Sequence, residues 1–185
     1  MKVYLLVEGD SDAAFLERLL PAEIRPAISI VTVGGRSNMS SKARSLMVLK
    51  RKPVALVVDT DVTEKDAVAQ RTEALEELVR SATAGVPYKI IFAAPEIEAW
   101  YFDVPEALER LSGKKLSPEQ RELAEVRPKE ILAKLFNGQG PLSVEQLAGQ
   151  LTEAEVQTLR ETSPRKDLID FLTEQVNKQT EPQPV

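Results

Sequence analysis

Residues 54–66 read VALVVDTDVTEKD, five apolar residues followed at once by Asp59-Thr60-Asp61. A run apolar at every position, without alternation, is the pattern of a strand covered on both faces, as in a parallel sheet. A polar helix is expected after it over about 64–81, with Ala74, Leu75, Leu78 and Val79 on one face and Gly85 beyond its end. Upstream, residues 3–7 form a short apolar strand ending at Glu8-Gly9. Ser11-Asp12 can cap a helix carrying Ala14, Phe15, Leu19 and Leu20 at helical spacing, broken by Pro21 and Pro26. A second, β-branched strand covers 28–33 and closes on Gly34-Gly35, and Ser40-Ser41 opens a helix to about Lys50. Downstream, residues 88–93 make a fourth strand.

The order β-α-β-α-β-α-β implies an α/β fold, a Rossmann-like four-stranded parallel sheet with right-handed crossovers and helices on both faces. Beyond Pro95 the pattern turns helical. Segments are expected near 97–102, 105–111, 118–124, 128–136, 144–150, 153–159 and 164–176. The organisation expected is therefore an α/β domain over 1–103, a C-terminal helical extension or subdomain over 104–177, and a frayed tail over 178–185.

The 185 residues contain no cysteine and no histidine. Disulfides, thiolate chemistry and His- or Cys-built zinc sites are thereby excluded, and any catalysis must use carboxylates, hydroxyls, amides, Lys, Arg or Tyr. Carboxylate oxygens prefer hard cations, so Mg²⁺, Mn²⁺ or Ca²⁺ are the metals to consider. The opening MKVYLLVEGD is too short and too soon acidic for a signal peptide, and no apolar run approaches a membrane span. A soluble, cytoplasmic protein without membrane association is the expectation.

Net charge is −5, which weighs against nonspecific coating of nucleic acid. The charge is uneven, with six basic residues and no acidic one from Arg36 to Lys52, then twelve acidic against five basic from Pro53 to Ser112. A metal site beside a phosphate-binding surface would have this distribution. A solvated helix face would have it too.

Ligands of open parallel sheets gather beyond the carboxyl ends of the strands. Glu8 is expected there after the first strand, and Asp59 and Asp61 after the third. Side chains two apart on an extended segment point the same way, so the two aspartates can converge, with Glu8 joining them if strands one and three are neighbours. Three such carboxylates call for a divalent cation. The plainer alternative is helix capping by Asp10, Asp12 or Asp61. GGRSNMSSKAR, residues 34–44, offers a glycine pair, hydroxyls, and Arg36, Lys42 and Arg44 near a helix N-terminus as a phosphate cradle, though a plain turn also accounts for the glycines. Trp100 reads as core with Ile97 and Tyr101.

VEGDSDAAFLERLLP, residues 7–21, resembles the first motif of Toprim domains, and VALVVDTDVTEKD resembles the second. APEIEAWYFD, residues 94–103, with RPKEIL at 127–132, resembles bacterial Toprim-related proteins akin to OLD-family nucleases. The resemblance covers about residues 1–103. It implies a Toprim fold, Glu8 as general acid/base or metal ligand, Asp59 and Asp61 as Mg²⁺ (or Mn²⁺) ligands, and Glu96 and Glu98 near a second metal, Glu98 the more favoured. For Glu96 and Glu98 the first turn of a helix after Pro95 is the ordinary reading. Lys129 and Lys166 are further charge-stabilising candidates. The implied activity is Mg²⁺-dependent phosphodiester cleavage in DNA or RNA, in phage defence or nucleic-acid processing, with a separate ATPase or defence-system partner because the chain has no Walker motif. Two other readings stand beside it: a non-catalytic Toprim-like module that binds nucleic acid or a partner, and a receiver- or flavodoxin-like fold, which the Glu8-Gly9 pair fits poorly.

Overall fold

The computed structural model describes residues 2–81, 83, 85–136 and 144–180, apart from the side chains of residues 36, 144, 145 and 180. Strands β1 (Val3–Val7), β2 (Ile28–Thr32), β3 (Val54–Asp59) and β4 (Tyr88–Ala93) form one sheet in the order β2-β1-β3-β4, every pair parallel. In register, Leu5 stands opposite Ile30 and Ala55, and Val57 opposite Ile91. The parallel α/β architecture read from the sequence is the one observed, with β1 and β3 adjacent at its centre.

Strand alternation sorts the apolar residues onto two faces. Val3, Leu5, Val7, Ala55, Val57, Ile91 and Ala93 turn to one core, while Leu6, Val54, Leu56 and Val58 turn to the other. That split is why β3 shows no polar residue before Asp59. At about 1.5–3 kcal/mol for each fully buried Val, Leu or Phe side chain, both faces must be covered.

The second face is covered by α2 (Met39–Lys50), through Met39, Ala43, Leu46 and Met47, and by α3 (Lys65–Arg80). Only Val79 of α3 is buried, so this helix lies on the sheet loosely. The first face is covered by α1 (Asp10–Leu19) and by the helices after β4. These are a 3-10 helix (Ile97–Asp103), α4 (Pro105–Ser112), α5 (Pro118–Ala124), α6 (Pro128–Phe136), α7 (Val144–Gly149), α8 (Glu153–Glu161) and α9 (Arg165–Thr180). Leu108, Ile131, Leu135, Val156 and Leu172 share one core with Leu5, Phe15 and Val57. Arg160 of α8 donates to the carbonyls of Leu19 and Leu20, satisfying the end of α1.

Three local expectations change. The cap of α1 is Gly9 rather than Ser11 or Asp12; Asp12 instead reaches back and accepts the Gly9 N–H at 3.0 Å, half of a capping box. The segment after Pro95 is 3-10 rather than α-helical. The last helix runs on to Thr180, past the point where fraying was expected, and residues 181–185 of the expected tail lie outside the described residues. Trp100 is core, as read, 5% exposed and packed against Phe15 with ring centroids 6.1 Å apart.

Candidate metal centre

The site begins where β3 and β4 end. Main-chain pairing continues past both strands, Thr60 N–H donating to Ala93 O at 2.9 Å and Asp61 N–H to Pro95 O at 2.8 Å. This zips the loop after β3 to the loop after β4, and it sets Asp59 beside the start of the 3-10 helix. Asp59 Oδ1 then accepts the Ile97 N–H at 2.9 Å, so the carboxylate caps that helix. Glu96 and Glu98 flank Ile97. Oxygens of Asp59, Glu96 and Glu98 all lie within 4.8 Å of one another, the only such group of three acids or more among the described residues.

Lys129, at the start of α6, answers these charges. Its Nζ lies 2.7 Å from Glu96 Oε2 and 3.5 Å from Glu98 Oε2, and its backbone N–H donates to Glu96 Oε1 at 3.2 Å. Glu98 is 2% exposed, and its Oε2 is buried with no hydrogen-bond donor, the Lys129 ammonium being its charge partner. A buried carboxylate oxygen without a donor is costly to keep ionised. A hard cation would satisfy it, and three converging carboxylates are the donor set such an ion takes.

The electrostatics carry the same strain. Burial, then the charges of Asp12 and Glu98, push the Asp59 carboxyl up from 3.8 to about 7, against the Ile97 N–H and Lys129. Burial likewise raises Glu98 and Asp12, with Lys129 opposing in both. The Tyr101 hydroxyl is raised by burial and then by Glu98 and Asp12. Burial pushes the Lys129 ammonium down, but its hydrogen bond to Glu96 and the charges of Glu98, Glu96 and Asp59 hold it above its ordinary value.

Of the residues singled out from sequence, Asp59 and Glu98 come together. Glu8 follows β1, half-buried, its carbonyl accepting the Gly34 N–H at 3.1 Å, and it lies outside the group of three. Asp61 is also outside. β3 ends at Asp59, so strand alternation stops there; Asp61 takes a left-handed backbone, φ 51°, and turns toward Arg71, 3.8 Å away. Glu96 had been the less favoured of its pair, yet it is a full member of the cluster. Asp12, read as a cap, both caps and adds to the field on Asp59. Lys129 was visible only through RPKEIL, since nothing local ties position 129 to positions 96 and 98. Lys166 pairs with Asp170 on α9.

The basic stretch divides along α2. Its twelve residues span about 18 Å at 1.5 Å each, running back from the carboxyl end of β2 to the amino end of β3. Lys42 and Arg44 are exposed near the first turns, whereas Lys50 bonds the Tyr4 hydroxyl at 3.3 Å, beside the start of β1. The side chain of Arg36 lies outside the described residues.

No protein-family profile and no curated protein matches the chain. Two solved structures are similar over nearly its whole length. The C-terminal region of the Xanthomonas campestris pv. campestris OLD protein aligns with 95% of this chain and 96% of its own, at 16% identity and a TM-score of 0.48. The C-terminal region of the Burkholderia pseudomallei OLD protein aligns with 94% of this chain and 97% of its own, at 18% identity and a TM-score of 0.46.

Proposed function

We propose that this chain is a divalent-metal-dependent phosphodiesterase of the Toprim type acting on DNA or RNA. The observation that carries the proposal is the convergence of Asp59, Glu96 and Glu98 within 4.8 Å around a buried, donor-less carboxylate oxygen. The position of these residues beyond the carboxyl ends of the strands is where parallel sheets receive ligands, and the Toprim resemblance of the two acidic motifs points the same way. Mg²⁺ or Mn²⁺, when bound, would polarise a phosphoryl oxygen and lower the pKa of its water.

The chain's own residues divide the remaining work. Asp59, Glu96 and Glu98 hold the ion; Glu8 and Asp61, on the neighbouring loops, are candidates for a water-mediated shell or a second ion. Lys129 holds the acids together without metal, and with an ion bound it would offer its positive charge to a phosphate at the site. Hydrolysis forms one P–O bond from water and breaks the ester P–O bond, the water proton going to a carboxylate and the departing alkoxide taking one up. Asp59 gives up its own proton when it takes the ion, so the exchange falls to a carboxylate outside the ion-holding set, for which Glu8 is the proposed residue. Lys42 and Arg44, with Arg36, are the proposed contacts to flanking phosphates.

A second reading is supported by one specific feature. Lys129 already pairs with Glu96 and Glu98, and a proton on Asp59 lowers the remaining negative charge, so the cluster can persist without metal, as in a non-catalytic module that binds nucleic acid or a partner protein. Incubation of end-labelled single-stranded and duplex DNA and RNA with the parent, Asp59→Ala and Glu98→Gln proteins separates the two. Metal-dependent cleavage lost in both variants is expected. Nucleic-acid binding without turnover, indifferent to metal, would select the second reading.

A further inference from the structure

We propose that the groove between α2 and α3 is a pocket for a single unpaired nucleobase, which makes the substrate a single strand, a frayed end or a nucleotide ester rather than an intact duplex. The inference rests on the phosphodiesterase reading above and assigns a second part of the same site.

A cavity of ≈ 390 Å³ elsewhere is lined by Arg165 and Asp103, which pair with each other, whereas a second cavity lies beside the carboxylates. It measures ≈ 330 Å³, and Asp59 borders it as well as belonging to the metal cluster. Its walls are apolar: Val58 and Phe92 from the sheet, and Ala74, Leu75 and Leu78 from α3. Its rim is polar, with Arg71 on one helix and the Ser37 and Ser40 hydroxyls on the other side. The cavity lies where α3 sits loosely on the sheet, with Val79 its only buried residue and Leu78, in the cavity lining, 51% exposed.

The chemistry of the walls selects the occupant. A flat apolar group can lie against Phe92 and Leu75, and its edge can meet the serine hydroxyls. Arg71 spends one N–H on Thr60 O and faces Asp61, and its planar fork has five donors in all, so it can also meet a phosphate. Apolar walls, a cation at the rim and an acid cluster next door fit the parts of a nucleotide: base, phosphate, ester. The volume sits at the low end for a small-molecule site, about 300–1,000 Å³, enough for one base and its sugar. A paired base cannot reach such a pocket, so it must be unstacked first.

The test titrates adenosine 5′-monophosphate into the full chain with Mn²⁺ present, with inorganic phosphate and adenosine as separate probes. Ala74→Trp fills the groove from an exposed helix position, and Leu78→Glu places a negative charge on its wall. Unchanged melting and unchanged Mn²⁺ heats show that both variants keep the fold and the metal cluster. The expected result is binding of the monophosphate that weakens about tenfold or more in both variants, the size of one base-stacking contact, while inorganic phosphate binds equally to all three proteins. Equal monophosphate affinity in parent and variants overturns the pocket; metal-dependent cleavage that persists in them shows that the phosphodiesterase reading survives its loss. Weakened monophosphate binding with no metal heat and no cleavage in the parent keeps the pocket and removes the phosphodiesterase.

Discussion

Replacing Asp59 by Asn should stabilise the metal-free protein and remove its response to divalent cations. Asp59 is ionised at its ordinary 3.8 in an unfolded chain but only at about 7 in the fold, because burial and then Asp12 and Glu98 oppose its charge. At about 1.4 kcal/mol per pKa unit, that difference corresponds to a ceiling of about 4 kcal/mol. Asn keeps an oxygen for the Ile97 N–H, held at 2.9 Å, so the cap of the 3-10 helix survives. The attraction to Lys129 is already contained in that shift, and screening by solvent at this partly exposed group reduces the expected gain to roughly 1–3 kcal/mol, or about 3–8 °C in Tm for a chain of this size. The sign follows from proton binding. Between 3.8 and about 7 the folded state holds a proton that the unfolded state has lost, so the penalty of Asp grows across that window. It is complete above the upper value and absent below the lower one. The advantage of Asn should therefore be large near pH 8 and small near pH 4, and thermal melts in chelator at both ends measure it. An Asn variant that melts at or below the parent near pH 8, or whose gain ignores pH, would refute the electrostatic reasoning.

Lys129→Ala should melt about 2–5 °C lower in chelator, because the acids lose their counter-charge, and Mg²⁺ should restore it. The same variant should bind Mn²⁺ more tightly yet cleave about 10²–10³-fold more slowly, a split visible by calorimetry beside a cleavage assay. Metal affinity should rise about tenfold per pH unit up to about pH 7 and then level off, since the ion must displace the Asp59 proton; calorimetry in buffers of different ionisation heat should count the proton released. Arg165→Ala should cost about 2–4 kcal/mol in urea unfolding, because this 1%-exposed guanidinium pairs with Asp103 at 2.6 Å, donates to Leu159 O at 2.7 Å and stacks on Trp100 at 5.2 Å. Exposure of Asp103 holds that figure below the range of fully buried pairs.

The sheet was legible because its signal is local. Each strand is a contiguous apolar run, and β3 declares its double burial by having no polar residue until Asp59. Asp59 was legible for the same reason, being the first residue after such a run. Asp61 stands outside the group of three because strand alternation ends at Asp59; the bonds from Thr60 to Ala93 and from Asp61 to Pro95 turn the chain there instead. The pairing of Glu96 and Glu98 with Lys129 spans more than thirty residues of chain, and no periodicity carries contacts of that kind. Their first-turn positions after Pro95 gave an ordinary helix-dipole explanation that hid a buried acid, since burial of Glu98 depends on α6 closing over it. The basic run from Arg36 to Lys52 looked like one patch in sequence. Laid along α2 and the turn after it, it divides between the carboxyl and amino ends of the strands.

Calorimetric titration of Mn²⁺ and Mg²⁺ into the parent and the Glu98→Gln protein shows whether the three acids bind a cation. Gln keeps the size of the side chain and removes its charge, so a difference between the two reports on ligation. Saturable heat is expected in the parent, accompanied by a rise in Tm, and its loss in the variant. Absence of heat in the parent at millimolar metal, or equal heats in both proteins, would contradict a metal centre built on Asp59, Glu96 and Glu98.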